Sequence, residues 1–361
     1  MAVALVTNYL APYRIPLYER LARSNEIEVL LYGGGDRYVP PWFRDLGAQL
    51  AAAPFPARRL AGVGDAFAAG RSYDAVITPV AGRVIPPAYA GARAGRKPFI
   101  LWASVWAQPR SVAHALALPA TRHLYRHADA VIAYGEHVSR FVARIRGSDA
   151  GVFIAPQAVE RELFARGVAE HEVEEFRDAY RLGSRPLVLY VGRLVREKGI
   201  EVLLEAWRLL SVDGTLVMIG DGPLAPEARA VGDVEVIGSV ARERLPVAYA
   251  ASAFAVLPSV PTPRFREPWG LVCNEAMYQA RPVVATDSVG AAAGGLVRDG
   301  RSGLVVPAGE APPLANAIKL LLGDQALRAR LGEGARAAVE PYTYDAAAAG
   351  FEQALAAAFA R

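Results

Sequence analysis

The segment from Glu267 to Glu275 places two carboxylates where a phosphate and neighbouring hydroxyls could be bound. It reads Glu-Pro-Trp-Gly-Leu-Val-Cys-Asn-Glu, so seven residues separate the two acids. Pro268 can open a helix, because the amide that proline lacks would be unpaired there anyway. Gly270 would let a ligand approach the first helical turn, whose free amides attract anions. We therefore expect Glu267 on the loop before a helix and Glu275 about two turns inside it.

A second segment brings cations to the end of a strand. The short apolar run 186–191 predicts a buried strand, and it leads into the glycine-flanked turn 192–199 before a helical pattern begins. Open α/β sheets bind ligands at the carboxyl ends of their strands. In this turn Arg193 can contact two phosphate oxygens at once and Lys198 can act as a point charge. Arg196, in the same turn, is expected to be exposed to solvent.

These two segments resemble those of the family four glycosyltransferases of GT-B fold. The Gly-Arg-x-x-x-x-Lys-Gly turn at 192–199 and the paired glutamates at 267 and 275 carry the resemblance, with support from Gly220-Asp-Gly-Pro223 and from Asp299-Gly300 followed by 303–306. The resemblance is strong over residues 150–350 and weak over the first 150. It implies an α/β fold with two Rossmann-like doubly wound domains facing a central cleft.

The resemblance also implies an activity, namely transfer of a sugar from a nucleotide diphosphate sugar to a hydroxyl acceptor with retention of anomeric configuration. Such an enzyme would serve glycan, glycolipid or glycoconjugate biosynthesis. A fixed cation beside the departing diphosphate stabilises the transition state more than the ground state. Glu275 would bind the ribose hydroxyls and Glu267 would meet the donor sugar ring. The implied catalytic residues are Arg193, Lys198 and Glu267, and the implied donor-binding residues are Gly192, Val240, Trp269, Gly270, Leu271 and Glu275.

The expected co-substrate is a UDP-sugar first and a GDP-sugar second, with no cofactor and no metal. No Asp-x-Asp triad of the kind that holds a divalent ion in other glycosyltransferases is present in the second half of the chain. With arginine and lysine as counter-charge, a metal is unnecessary. The nucleotide base would be recognised partly by backbone groups near 238–240. Cys273, the single cysteine, is interpreted as a small core residue.

The first half of the chain is expected to hold the acceptor, which could be a glycan, a lipid-linked glycan or a small metabolite. The candidate acceptor-side residues follow predicted strands, or lie in the helix after one, and are Asn8, Tyr13, Arg14, Ser104, Trp106 and His114. Asn8, Tyr13 and Arg14 stand where many family members have a Gly-Gly turn. Tyr13 could equally pack at a helix start, and His114, inside a predicted helix, could be purely structural.

Strands and helices alternate in both halves of the sequence, which predicts two parallel sheets with helices on both faces. We expect an acceptor-binding domain at 1–165 and a nucleotide-sugar-binding domain at 166–340, with a linker region at 166–185. The alanine-rich segment 341–361 has helical spacing and, by the resemblance, is expected to pack back on the first domain.

Charge is distributed unevenly along the chain. Residues 1–160 hold 18 Lys and Arg against 11 Asp and Glu, whereas residues 161–361 hold 22 against 25. The basic first half would suit peripheral contact with an anionic membrane, or it is simply solvated surface. No signal peptide or membrane-spanning run is evident, so the expected location is cytoplasmic, including the inner membrane face. No nucleic-acid-binding motif is found, so nucleic acid is not an expected partner.

Two other hypotheses about the function stay open. One is a different GT-B enzyme, either a sugar epimerase, which would turn over the donor without an acceptor, or a phosphorylase, which would need a lysine for pyridoxal. The chain has only three lysines. The other hypothesis is a non-catalytic module that binds sugars or a membrane surface. Four charged residues of the two motifs argue against it, namely Arg193, Lys198, Glu267 and Glu275.

Overall fold

The computed structural model of the chain describes residues 1–33, 45–80, 82–108 and 110–360. They form two compact units, the first built from Met1–Ala158 with residues 343–360 and the second from Val159–Tyr342. Within the described residues, no helix is both long and apolar enough to span a membrane.

The first unit is an all-parallel sheet in the order β3-β2-β1-β4-β5-β6-β7. Its order reverses between β1 and β4, which is the topological switch point where doubly wound sheets bind ligands. The inner strands are continuous apolar runs because helices cover both faces. The strands are β1 (Ala2–Thr7), β2 (Glu26–Leu31), β3 (Ala57–Arg59), β4 (Ala75–Pro79), β5 (Phe99–Ala103), β6 (Ala130–Ala133) and β7 (Val152–Ile154), and the helices are α1 (Ile15–Ser24), α2 (Leu46–Ala51), α3 (Val63–Ser72), α4 (Ile85–Gly95), α5 (Val112–His127), α6 (Glu136–Arg146) and, from the end of the chain, α16 (Tyr344–Phe359).

The second unit repeats the architecture with strands in the order β10-β9-β8-β11-β12-β13, again all parallel. Its switch point lies between β8 and β11, which pair through Phe254 and Ala255. The strands are β8 (Leu187–Val191), β9 (Thr215–Ile219), β10 (Val234–Gly238), β11 (Phe254–Leu257), β12 (Val283–Thr286) and β13 (Gly303–Val306), and the helices are α7 (Arg161–Phe164), α8 (Glu170–Ala179), α9 (Ile200–Arg208), α10 (Ala225–Arg229), α11 (Leu245–Ala251), α12 (Leu271–Tyr278), α13 (Gly290–Ala293), α14 (Ala311–Gly323) and α15 (Gln325–Val339).

The structure begins the second unit earlier than the sequence predicted, at Val159 instead of 166. The reason is that α7 is tied to this unit: Gln279 Nε2 donates to the carbonyl of Phe164 at 2.6 Å, and the Phe164 ring meets Tyr249 edge-on at 6.4 Å. The expected linker 166–185 is also not a free connection. It contains α8, which packs against α11 and buries Phe176.

Helix α16 packs against α1, β5, β6 and β7 of the first unit. Its small side chains allow a close approach, because a Cβ added at Gly350 would lie 2.3 Å from the carbonyl of Ile154. The Phe351 ring packs edge-on against Trp102 at 5.0 Å, and the Tyr344 hydroxyl donates to the carbonyl of Tyr13 at 2.8 Å. Arg361 lies outside the described residues.

Three elements of the first unit were missed by the sequence analysis. Strand β3 is a three-residue edge strand with two arginines, so it has no apolar run to recognise. Helices α2 and α3 are rich in alanine and glycine and have a weak apolar stripe. Helix α3 instead packs closely on α4, where a Cβ added at Gly70 would lie 2.1 Å from the carbonyl of Ala88.

Candidate functional site

The turn 192–199 follows β8 at the switch point of the second sheet and is held there by glycine contacts. A Cβ added at Gly220, after β9, would lie only 2.0 Å from the carbonyl of Gly192. The Leu194 amide donates to the carbonyl of Asp221 at 2.9 Å. Gly199 adopts a left-handed φ of 73°, and a Cβ there would lie 1.9 Å from the carbonyl of Pro258. The turn is therefore pressed against the carboxyl end of β11.

This packing brings Lys198 into direct contact with Glu267. The ammonium group donates to Glu267 Oε2, and the two side chains are only 17% and 8% exposed. Ser259, just after β11, donates its hydroxyl to the same oxygen at 3.0 Å. The sequence analysis assigned these residues separate roles towards a phosphate and a sugar. The structure shows them as one cluster, in which a fixed cation lies within bonding distance of a fixed carboxylate.

Arg193 lies at the start of the same turn and is more accessible. Its guanidinium is 3.6 Å from Glu197 Oε1, and the side chain is 38% exposed. The Tyr190 hydroxyl donates to the Arg193 carbonyl at 2.8 Å, which anchors the backbone under the side chain. Arg196 is 82% exposed, as predicted, and pairs loosely with Glu201 at 3.4 Å. Arg193 thus presents its charge from a fixed backbone, while Arg196 extends into solvent.

Helix α12 begins at Leu271, as the helical pattern predicted, and not at Pro268, which could also have opened it. The start is delayed because Gly270 takes a left-handed φ of 94°, which is incompatible with a continuous helix through 268–271. A Cβ at Gly270 would lie 2.5 Å from Leu257 Cδ2, so only glycine fits. The amides of Gly270 and Leu271 have no acceptor among the described residues. Unpaired amides at a helix start suit an anion.

The Trp269 indole belongs to the core. Its Nε1 donates to Asn274 Oδ1 at 2.7 Å, both residues are buried, and the ring lies 5.5 Å from that of Tyr342. Any contact of Trp269 with a ligand is therefore through its backbone. Cys273 is buried next to the same region, and burial raises the pKa of its thiol, with the charge of Glu267 adding to the effect. A neutral buried thiol fits the expected core role.

Glu275 lies in the second turn of α12 and accepts a hydrogen bond from the Tyr249 hydroxyl at 2.7 Å on Oε2. Burial raises the pKa of Glu275, while the Tyr249 hydrogen bond and the charge of Arg242 act in the opposite direction. Arg242 itself donates to Glu160 Oε1 at 2.6 Å. The Glu275 carboxylate can therefore accept hydrogen bonds from further hydroxyl groups, in surroundings that are partly shielded from water.

Val240 is half-buried on the segment between β10 and α11, as is expected of a residue that lines a site beside Arg242. The neighbouring Ser239 hydroxyl donates to Asp221 Oδ2 at 2.8 Å, which joins this segment to the loop after β9. The role of Val240 in binding the donor stays a prediction.

In the first unit, Arg14 is the centre of an aromatic group at the carboxyl ends of β1, β5 and β6. Its guanidinium donates to the Tyr134 hydroxyl and lies over the Trp102 ring, 4.6 Å from the centroid. Tyr13 is half-buried beside it at 5.7 Å. We expected Arg14 inside this helix, but it is the N-cap residue immediately before α1. Asn8 forms a local turn in which its Oδ1 accepts from the Tyr9 amide at 3.1 Å.

The other acceptor-side candidates are not brought to Arg14 by any described contact. Ser104 follows β5 and is half-buried, and the Trp106 ring meets His137 edge-on at 5.3 Å. His114 lies in the first turn of α5, where its Nδ1 is 2.7 Å from the Ser111 hydroxyl that caps the helix. This contact favours the structural reading of His114.

Four residues that contact the candidates were not among the predicted site residues: Ser259, Tyr249 and Arg242 in the second unit and Tyr134 in the first. Each comes from a different strand end or helix, so no local spacing links it to the motif it contacts. Arg242 had the best available signal, because a cation follows the segment 238–240 that we expected to meet the base. Throughout the described ranges, no group of three His, Cys, Asp or Glu side chains converges in a way that could hold a metal ion.

Solved structures define the class of fold. HepE from Anabaena, crystallised with UDP and glucose, superposes with a TM-score of 0.78 over 99% of both chains at 17% identity. Sucrose-phosphate synthase from Thermosynechococcus elongatus gives 0.73 at 24% identity, over 100% of this chain and 99% of its own. The expectation of two Rossmann-like doubly wound domains of GT-B type is confirmed.

The family follows from the sequence comparisons. Residues 185–324 match the family described as Glycosyl transferases group 1. Alpha-D-kanosaminyltransferase of Streptomyces kanamyceticus is 34% identical over 249 residues, 66% of this chain and 62% of the relative. D-inositol 3-phosphate glycosyltransferase of Xylanimonas cellulosilytica is 31% identical over 241 residues, 61% and 55% of the two chains. These matches support a glycosyltransferase of the family four type with GT-B fold, and the chain spans less than two thirds of the length of these two relatives.

Proposed function

We propose that this protein transfers a glycosyl group from a nucleotide diphosphate sugar to a hydroxyl acceptor, with retention of configuration at the anomeric carbon. The observation that carries the proposal is the cluster of Lys198, Glu267 and Ser259 at the switch point of the second sheet, next to the unpaired amides of Gly270 and Leu271. Cations and free amides suit a diphosphate, while the carboxylates suit hydroxyls.

In the proposed reaction the bond between the anomeric carbon and the diphosphate oxygen breaks, and its electron pair stays on the phosphate. Negative charge grows on that oxygen as the bond lengthens, so Arg193 and Lys198 stabilise the transition state more than the bound donor. The acceptor oxygen forms a bond to the anomeric carbon, and its proton passes to the departing phosphate. Attack from the same face gives retention. Glu267, paired with Lys198, would hold a hydroxyl of the donor sugar and stabilise positive charge near the anomeric carbon.

The second unit is proposed to bind the donor, and the first unit the acceptor. Glu275 would accept from the two vicinal ribose hydroxyls while Tyr249 holds its other side. The relatives whose names describe glycosyl transfer support this assignment, as does the UDP-bound HepE structure. We place a UDP-sugar first and a GDP-sugar second. Arg14, with its phenol and indole neighbours, is the proposed acceptor-side residue of the first unit.

The proposal is tested by thermal unfolding with UDP, GDP, ADP and their sugar conjugates, without added metal, on the wild type and Glu275→Gln. One nucleotide family is expected to raise the midpoint, since a ligand at 100 times its dissociation constant stabilises by about 2.7 kcal/mol. Glu275→Gln loses a charged acceptor for the ribose, so affinity should fall by about 10- to 150-fold, equivalent to about 1.5–3 kcal/mol.

The same variant provides an internal check on stability. Because burial raises the pKa of Glu275, the ionised carboxylate opposes folding above its ordinary pKa, and the uncharged glutamine removes that penalty. Without ligand, Glu275→Gln should therefore unfold at the same temperature as the wild type or higher. Equal nucleotide shifts in both proteins would refute the ribose role. Turnover of the donor sugar with no acceptor present would favour an epimerase instead.

We also propose that α5 rests on an anionic membrane surface. Val112 and Leu116 are 78% and 79% exposed, and alanines and a proline around them are exposed as well. No Asp or Glu occurs between Asp74 and Asp129, a stretch that contains seven Lys and Arg. An exposed apolar helix within a basic segment is complementary to anionic lipid headgroups.

This surface is tested by co-sedimentation with vesicles. We expect binding to vesicles with anionic lipid, weakened about tenfold or more by Val112→Glu with Leu116→Glu, since each buried side chain contributes about 1.5–3 kcal/mol. Leu209→Glu, at an exposed position of the second unit, is the matched control and should bind as the wild type does. Equal binding to neutral vesicles, or no effect of the double substitution, would contradict the proposal.

A further inference from the structure

A cavity lies in the second unit at the amino ends of the strands, whereas Lys198 lies at their carboxyl ends. It has a volume of about 450 Å³ and is bordered by Leu187, Ala253 and Pro282, residues at or just before the amino ends of β8, β11 and β12. The proposed donor site is at the carboxyl ends of the same strands. The cavity is therefore separate from that site.

Three arginine side chains line this cavity: Arg177 from α8, Arg281 from the loop before β12, and Arg328 from α15. Arg177 donates to the carbonyls of Gly183 at 2.7 Å, Arg185 at 3.2 Å and Ala251 at 3.0 Å. Arg281 donates to the carbonyl of Ala250 at 2.8 Å, and Arg328 to those of Leu321 and Leu322, the latter at 2.9 Å. All of these acceptors are neutral backbone groups.

None of the three guanidinium groups has a carboxylate within 4.0 Å among the residues that the structure describes. Burial lowers the pKa of Arg177 and of Arg281, as is expected of a cation that loses water without gaining a counter-ion. Nε of Arg281 is buried with no hydrogen-bond partner. Arg281 as a whole is half-buried, so its guanidinium is partly removed from water and can still be reached by an anion.

The helix ends nearby compensate part of this charge. Arg177 and Arg281 meet the last two carbonyls of α11, and Arg328 meets carbonyls near the end of α14. A helix carboxyl terminus carries the equivalent of about half a negative charge. The two termini therefore offset only part of the charge of the three arginines.

We propose that this cavity binds a small phosphate-bearing molecule at its three arginines. A phosphate ester carries about two negative charges and offers oxygens that guanidinium groups recognise in pairs. The volume is within the range of small-molecule sites and exceeds what a bare ion needs, so the class of ligand is a phosphorylated metabolite. Ser184 and Gln325, which also line the cavity, offer polar groups to the rest of such a molecule.

The test uses pyrophosphate as the probe, with the Arg193→Ala protein to weaken binding at the proposed donor site. Calorimetry should detect binding in this background, and adding Arg177→Gln, Arg281→Gln or Arg328→Gln should weaken it by about tenfold or more, the cost of losing one charged hydrogen bond. Arg208→Gln, on the exposed face of α9, is the matched control and should leave binding unchanged.

Each of the three variants also loses backbone contacts, so circular dichroism must first show that it is folded. Loss of all pyrophosphate binding in the Arg193→Ala protein would overturn the inference. So would unchanged affinity in a folded Arg281→Gln protein. Because the cavity is separate from Lys198, either result leaves the proposed function standing.

Discussion

Replacing Lys198 by methionine is expected to lower turnover by about 10²–10³-fold and to reduce the free energy of unfolding by about 3 kcal/mol. The turnover loss is that typical of removing one donor aimed at developing negative charge. The stability loss arises because the substitution leaves Glu267, which is 8% exposed, without its cation. Breaking a buried ion pair from one side costs about 3–5 kcal/mol, chiefly through the charge left behind.

The double variant Lys198→Met with Glu267→Gln separates the two effects. Glutamine keeps an acceptor for the Ser259 hydroxyl but carries no charge, so the free energy of unfolding should recover most of what Lys198→Met loses. Turnover should stay low, since the cation is still missing. Denaturant unfolding and initial rates on the wild type, Lys198→Met, Glu267→Gln and the double variant provide the measurement. If stability does not recover in the double variant, the pair is not the source of the loss.

Replacing Arg193 by alanine is expected to lower turnover by about 10²–10³-fold with little change in stability. Its side chain is 38% exposed and lies 3.6 Å from Glu197, a partly exposed pair of the kind worth at most about 1 kcal/mol. Activity would fall because the departing diphosphate loses a bidentate hydrogen-bond donor.

Arg196→Ala is the matched control for this prediction. It removes the same kind of side chain from the same turn, yet Arg196 is 82% exposed and pairs only with Glu201. Initial rates with a saturating donor should stay within about twofold of the wild type. Equal activity losses in the two variants would show that the turn acts through its overall charge, and a wild-type rate for Arg193→Ala would remove it from the proposed chemistry.

All six strands of the second unit were predicted because they are mostly apolar runs, whereas its short helices α7, α10 and α13 were not. The apolar run 186–191, which predicted a buried strand, contains β8. The edge strand β3 and the glycine-rich α3 have no such pattern, because α3 is stabilised by close backbone contact with α4 and not by an apolar stripe. Periodicity records which side chains are buried, and it contains no information on how closely two backbones pack.

The site divides in the same way. Spacing along the chain identified Arg193, Lys198, Glu267 and Glu275, because each pair lies within one short segment, the turn 192–199 or the loop and helix 267–275. The contact of Lys198 with Glu267 could not be predicted, since it depends on Gly199 packing against Pro258 across two strands. Ser259 and Tyr249 were missed for the same reason, as they reach the two glutamates from other elements.

The amino-acid sequence by itself determined the alternation of strands and helices and the two candidate motifs, because these depend on local residue types and burial periodicity. Only the tertiary structure decided that Lys198 and Glu267 form one buried cluster and that three arginines distant in sequence share one cavity. Parallel strands bring together residues tens of positions apart, and the side-chain contacts that result depend on packing distances of a few tenths of an ångström.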